Sequence, residues 1–168
     1  MLKSMTINEL FNVGKTFETT IGEGTKSEIA TIPHNYSKLI LDEDIISKIK
    51  NISQEINFLV SGEIWCPDFQ LNVTALKKIC DLNDNFNLSV ITFFRGRKFL
   101  APILGIDEEN FCCPTIIVLD KDFNIIGKFE EMPNAVLSQP SFDEVEADYL
   151  NGKYLIDTVK DFTSILIK

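Results

Sequence analysis

The chain has 168 residues and a formal net charge of −9, with 45% apolar and 24% charged residues. These values read as one soluble domain with an ordinary core. They exclude the usual nucleic-acid binder, because a phosphate backbone calls for a basic surface. No apolar run approaches the length of a membrane span, so no membrane partner is expected. The opening M-L-K-S-M-T-I-N-E-L has no apolar segment of the kind a signal peptide needs. A cytoplasmic location is therefore expected. Four cysteines in a reducing compartment point to chemistry or packing, not to a disulfide framework.

Thr6 to Phe17 spaces Ile7, Leu10, Phe11 and Val13 as a short helix. Thr6 is the expected N-cap, and Glu9 completes a capping box. Gly22, Gly24 and Pro33 bracket a region with room for a second helix over 26–31. Pro33-His34-Asn35 reads as a turn. Asp42, Glu43 and Asp44 place acids at the start of a helix through Ile52, where the dipole favours them. The first 55 residues carry no chemical motif and read as a helical extension packed on a core formed by residues 56–168.

A buried strand runs through Val60, and a helix continues to about Leu82. Leu88 to Phe94 reads as a strand. Arg95, Arg97 and Lys98 open a basic segment, either helix or loop. Thr115 to Leu119 and Ile125 to Glu130 read as strands joined by a hairpin over 120–124. Met132 to Pro140 reads as a loop. Ser141 is expected to cap a helix with Glu144 three residues on, ending near Gly152. Leu155 to Ile167 has helical spacing.

The informative stretch is I-N-F-L-V-S-G-E-I-W-C-P-D-F-Q, residues 56–70. An apolar strand ends at Ser61-Gly62, and the only tryptophan, Trp65, precedes Cys66 and Pro67. From Phe69 the apolar residues Phe69, Val73, Leu76 and Cys80 recur at helical intervals. Pro67 then sits at the first helical position, where its missing N–H costs nothing. Cys66 becomes the N-cap, beside free amides and the positive end of the dipole. Such a site favours thiolate over thiol, whereas Glu63 and Asp68 oppose it. The alternative is a small buried residue at a turn.

W-C-P-D-F resembles the thioredoxin active-site motif W-C-x-x-C, especially its W-C-P-D-C variant, with Phe69 at the place of the second cysteine. Cys113-Pro114-Thr115, followed by Ile116-Ile117-Val118-Leu119, resembles the family's cis-proline segment. The resemblance covers residues 56–129 and implies an α/β, thioredoxin-like fold: a mixed sheet flanked by helices, here behind an N-terminal helical extension. It implies thiol–disulfide exchange at Cys66, with Cys113 facing that sulfur across the groove and Pro114 in cis. Trp65, Pro67, Pro114 and Thr115 are the implied substrate-binding residues, along a groove where an extended peptide can pair as an added strand. The implied partners are protein or small-molecule thiols and disulfides, glutathione among them.

Two departures weigh against the ordinary dithiol cycle. Phe69 removes the sulfur that would release a mixed disulfide. Val60 stands where the family usually carries a buried aspartate as proton acceptor. A single-cysteine mechanism stays open, with Cys113 or glutathione as the resolving thiol. So does a redox-inactive binding module that keeps the fold and groove but has lost the chemistry, and, more remotely, a glutathione-dependent transferase or peroxidase.

No cofactor is expected. Cys66, Cys112 and Cys113 are soft ligands, but they lack a C-x-x-C spacing, and extended neighbours point to opposite faces, so no metal is expected either. Cys80 lies on a core stripe. His34, the only histidine, reads as an exposed turn residue. Arg95, Arg97 and Lys98 form either a solvated surface or an attraction for an anionic thiol such as glutathione.

Overall fold

Strand β1, Ile56–Ser61, is buried along its whole length and sits near the middle of the sheet in a computed structural model that describes residues 3–168. It pairs in parallel with β2, Phe86–Ile91, on one side and antiparallel with β3, Thr115–Leu119, on the other. Strand β4, Ile125–Glu130, completes a mixed sheet of order β2-β1-β3-β4 by pairing with β3. The parallel pair requires a crossover, supplied by α5, Pro67–Cys80.

Both faces of the sheet are covered, which is why β1 and β3 are mostly apolar and have no exposed side. Alternation sends Phe58, Val60, Ile116 and Val118 into one core with α5 and the last helix. It sends Leu59, Ile117 and Leu119 into a second core with Leu10, Leu100 and Phe111. The helix Leu155–Leu166 closes the first core through Phe162, whose ring stacks on Phe129 at 5.0 Å and meets Phe58 edge-on at 6.1 Å.

Among the described residues, four helices precede the sheet: α1 (Ile7–Val13), α2 (Phe17–Gly22), α3 (Lys26–Lys38) and α4 (Glu43–Lys50). The Thr6–Glu9 capping box forms as its sequence predicts. The expected single helix to Phe17, however, is two helices. Gly14 leaves helical geometry, and Lys15 makes an antiparallel bridge to Val90 with two 2.8 Å hydrogen bonds. Gly14 allows this close approach, since a Cβ there would lie 1.9 Å from Ser89 Oγ. The bridge covers part of the β2 edge, which would otherwise offer free backbone groups.

Pro33-His34-Asn35 is not a turn. All three residues lie inside α3. An interior proline costs about 3 kcal/mol in a helix. Here tertiary contacts override it: Ile32 and Asn35 are buried, and Asn35 Nδ2 donates to the Gln70 carbonyl at 3.1 Å. Lys78 ties the same helix end down through the Tyr36 carbonyl at 2.9 Å and the Leu39 carbonyl.

Other boundaries also differ from expectation. Strand β2 stops at Ile91, because Thr92 accepts a hydrogen bond from the Arg95 amide and starts a helix. The basic segment is helical throughout: α6 (Phe93–Arg95), a π-turn (Gly96–Leu100) and α7 (Ala101–Leu104). The expected loop at 132–140 contains α8, Asn134–Leu137, whose first amide donates to Asp161 at 2.7 Å. Ser141 makes no side-chain cap; a 3₁₀ turn, Phe142–Glu144, leads into α9, Glu146–Leu150. The final helix is α10. No helix among the described residues is long and apolar enough to cross a membrane.

Candidate functional site: a recessed thiol at a helix N-terminus

The chain leaves β1 at Ser61 and turns through Gly62, Glu63, Ile64 and Trp65 before entering α5. The turn is held by the Cys66 amide donating to the Glu63 carbonyl at 3.1 Å and by Gln70 Nε2 donating to the Ile64 carbonyl at 2.8 Å. Cys66 is the N-cap, in extended geometry, and Pro67 opens the helix. Cys66 is only 6% exposed, so its sulfur is recessed, while Trp65 beside it is 58% exposed.

The second motif meets the first. The Cys66 thiol donates to the Cys113 carbonyl oxygen at 3.5 Å, which brings the two cysteines side by side. The Cys113–Pro114 peptide is cis. Pro114 is buried, and its carbonyl accepts from the Glu131 amide at 2.8 Å. Thr115 is fully buried and turns inward, its hydroxyl donating to the Cys112 carbonyl at 2.7 Å. Pro67 is exposed.

The Cys66 thiol is held below its ordinary range, first by the hydrogen bond from Cys113. Burial opposes this, the amides of Phe69 and Asp68 assist it, and the Asp68 charge resists it. Cys113 is pushed strongly upward by its bond to Cys66 and by burial. Of the two thiols, Cys66 is therefore the more readily ionised, and Cys113 holds its proton more tightly. Glu63 bears on Cys113 instead of Cys66; its carboxylate accepts from the Phe93 amide at 3.0 Å.

The two departures from the motif are structurally filled. Phe69 is fully buried. Its ring lies over Gly62: a Cβ on Gly62 would come within 2.7 Å of Phe69 Cδ2 and 3.4 Å of Pro114 Cβ. Val60 is fully buried among apolar neighbours. Burial pushes the Cys80 thiol up, as expected of a core residue. Cys112 points to the Asn110 carbonyl, 3.5 Å away, and burial raises it as well. His34 stands exposed on α3.

Sequence reading missed a buried polar chain behind Cys66. Asp68 Oδ2 lies 4.0 Å from Cys66 Sγ. Asp68 Oδ1 accepts from the Tyr149 hydroxyl at 2.6 Å. That hydroxyl accepts from Asn72 Nδ2 at 2.8 Å, and Asn72 Oδ1 accepts from Thr158 Oγ1 at 2.6 Å. Asn72 Nδ2 also reaches the Asp68 and Glu131 carbonyls, each at 2.9 Å. Glu131, held at a positive φ of 65°, is thus fixed from both sides. The only sequence signal was an asparagine on the helical face that packs inward. A cavity of about 710 Å³ lies elsewhere, at the start of β1 among Ile52, Ile56, Ile126 and Ile165, and has no cysteine in its lining.

A mixed four-stranded sheet, a cysteine at the entrance of its crossover helix and a cis-proline segment facing that cysteine define a thioredoxin-fold protein. The family model described as thioredoxin matches residues 14–141, and the chain belongs to the thioredoxin family. A crystal structure of a protein of unknown function from Pseudomonas aeruginosa is 31% identical and superposes with a TM-score of 0.90, covering 99% of this chain and 98% of that one. An HIV epitope scaffold is 32% identical with a TM-score of 0.89, covering 97% and 98%. No curated protein matches the chain.

Proposed function

We propose that this protein carries out thiol–disulfide exchange with Cys66 as nucleophile and Cys113 as resolving thiol. The observation that supports it is the approach of Cys66 Sγ to Cys113, 3.5 Å from its carbonyl oxygen, at the N-terminus of α5. The Cys66 thiolate attacks a disulfide RS–SR, forming Cys66–S–S–R and releasing one thiol. The Cys113 thiol, after losing its proton, attacks Cys66 of the mixed disulfide and releases the second. The two substrate thiols gain the protons and electrons that the cysteine pair loses. Glutathione can take the resolving step instead of Cys113. Trp65 and Pro67, both exposed, and the buried Pro114 are the substrate contacts on this reading, with Thr115 supporting the Cys112 backbone from inside. Residues 3–55 act as scaffold, bracing β2 and α5. A reducing, cytoplasmic setting fits this chemistry, with protein or small-molecule disulfides as partners and no role for nucleic acid or membrane.

Peptide mass spectrometry after mild oxidation tests the reading. A Cys66–Cys113 bridge, or glutathione on Cys66, is the expected product. Free thiols throughout favour the second reading, a binding module that has kept the fold, for which the buried Phe69 ring speaks.

A further inference from the structure

The polar chain behind Cys66 is costly unless it has a use. Tyr149, Asn72 and Thr158 are all at most 2% exposed, and apolar side chains would fill the same space without needing partners. Every donor in the chain is aligned so that it ends on one oxygen of Asp68. Thr158 donates to Asn72, Asn72 to Tyr149, and Tyr149 to Asp68 Oδ1. Asp68 Oδ2 is left facing Cys66 Sγ at 4.0 Å, a separation that one thiol rotation or one water bridges. Val60, at the position where the family usually carries its buried aspartate, is fully buried and offers no proton acceptor.

We propose that Asp68 is the proton-transfer residue of the Cys66 exchange reaction, with Tyr149, Asn72 and Thr158 as positioning residues. This rests on the exchange reading above. The Asp68 carboxylate takes the proton from Cys66–SH, leaving the thiolate. The thiolate attacks RS–SR, so that a Cys66–S–S–R bond forms and the RS–SR bond breaks. Protonated Asp68 then delivers its proton to the departing RS⁻. The sum is Cys66–SH plus RS–SR giving Cys66–S–S–R plus RSH, with the carboxylate regenerated. Burial raises the Asp68 carboxyl above its ordinary value, which narrows the gap between it and the thiols it serves.

The test compares two disulfides with the reduced full-length protein at one pH. Bis(2-hydroxyethyl) disulfide releases a basic thiolate that needs a proton. Bis(4-nitrophenyl) disulfide, uncharged like the first, releases an acidic one that does not. The readout is the ratio of the two rate constants, which is insensitive to the thiolate fraction and to the fraction folded. In Asp68→Asn the ratio of aliphatic to aromatic rates is expected to fall about tenfold, below the usual range of general acid–base effects. Tyr149→Phe, which leaves the carboxylate but removes its anchor, should lower the ratio in the same direction by about threefold. It decides the question alone if Asp68→Asn does not fold. A ratio within about twofold of wild type in the folded variants overturns the proposal, because a charge effect or a structural defect moves both rates together. A wild-type protein inert to both reagents overturns the exchange reading itself.

Discussion

Phe69 and Gly62 fit each other: the ring lies where a side chain at position 62 would have to go, 2.7 Å from a Cβ built there. Gly62→Ala should therefore destabilise the protein by about 1–3 kcal/mol, the usual cost of overpacking. Phe69→Ala should cost about 3–5 kcal/mol through the cavity it leaves. The double variant should cost less than the sum, because the cavity accepts the new methyl. Urea unfolding of the four proteins measures the coupling; strict additivity would show that the two positions do not share that space.

The Cys113 thiol is the first cause of the depressed Cys66 pKa. Cys113→Ala should move the Cys66 titration upward and slow iodoacetamide alkylation at neutral pH. Cys113→Ser, which keeps a donor, should stay close to wild type. Alkylation rates followed against pH by intact mass give the result. An unshifted curve in Cys113→Ala would make the helix amides of Asp68 and Phe69 the controlling donors.

Burial raises the Cys80 thiol above its ordinary value of 9.0. The folded state then holds this proton more tightly than the unfolded state does. The corresponding stability is complete below pH 9 and is lost as pH rises above it. Cys80→Ala should flatten the fall of the urea midpoint between about pH 9 and 11. A residual slope is expected from Cys112, Cys113, Tyr36 and Tyr149, all shifted the same way. An identical slope in the variant would mean that Cys80 titrates alike in both states.

Asn72 serves four partners at once: the Asp68 and Glu131 carbonyls, the Tyr149 hydroxyl and the Thr158 hydroxyl. Asn72→Ala leaves these groups buried without it and should cost about 3 kcal/mol. Thr158→Val removes one donor and should cost about 1–2 kcal/mol. Chemical denaturation measures both. Equal costs would mean that the carbonyl contacts of Asn72 contribute little.

The thiol turn was legible because it is local. Pro67 at the first helical position and the recurrence of Phe69, Val73, Leu76 and Cys80 are sequence-adjacent signals, and α5 runs from Pro67 to Cys80. The helix across Pro33 was not legible, since the contact that overrides proline comes from Gln70, 35 residues from Asn35. The end of β2 was hidden by Phe93 and Phe94, which continue its apolar run although Thr92 already caps a helix. The Asp68–Tyr149 bond joins residues 81 apart, through the packing of α9 near the start of α5. No spacing rule relates them.

Cys66 and Cys113 stand 47 positions apart along the chain, although their atoms touch. A covalent link between them would close a far larger ring than the four-residue loop of a W-C-x-x-C protein. On chain-entropy grounds it would restrict the unfolded ensemble by about 4 kcal/mol, against about 2 kcal/mol for the short ring. Oxidation in this molecule would then act as a staple on the whole domain, and a simple melting curve would report its redox state.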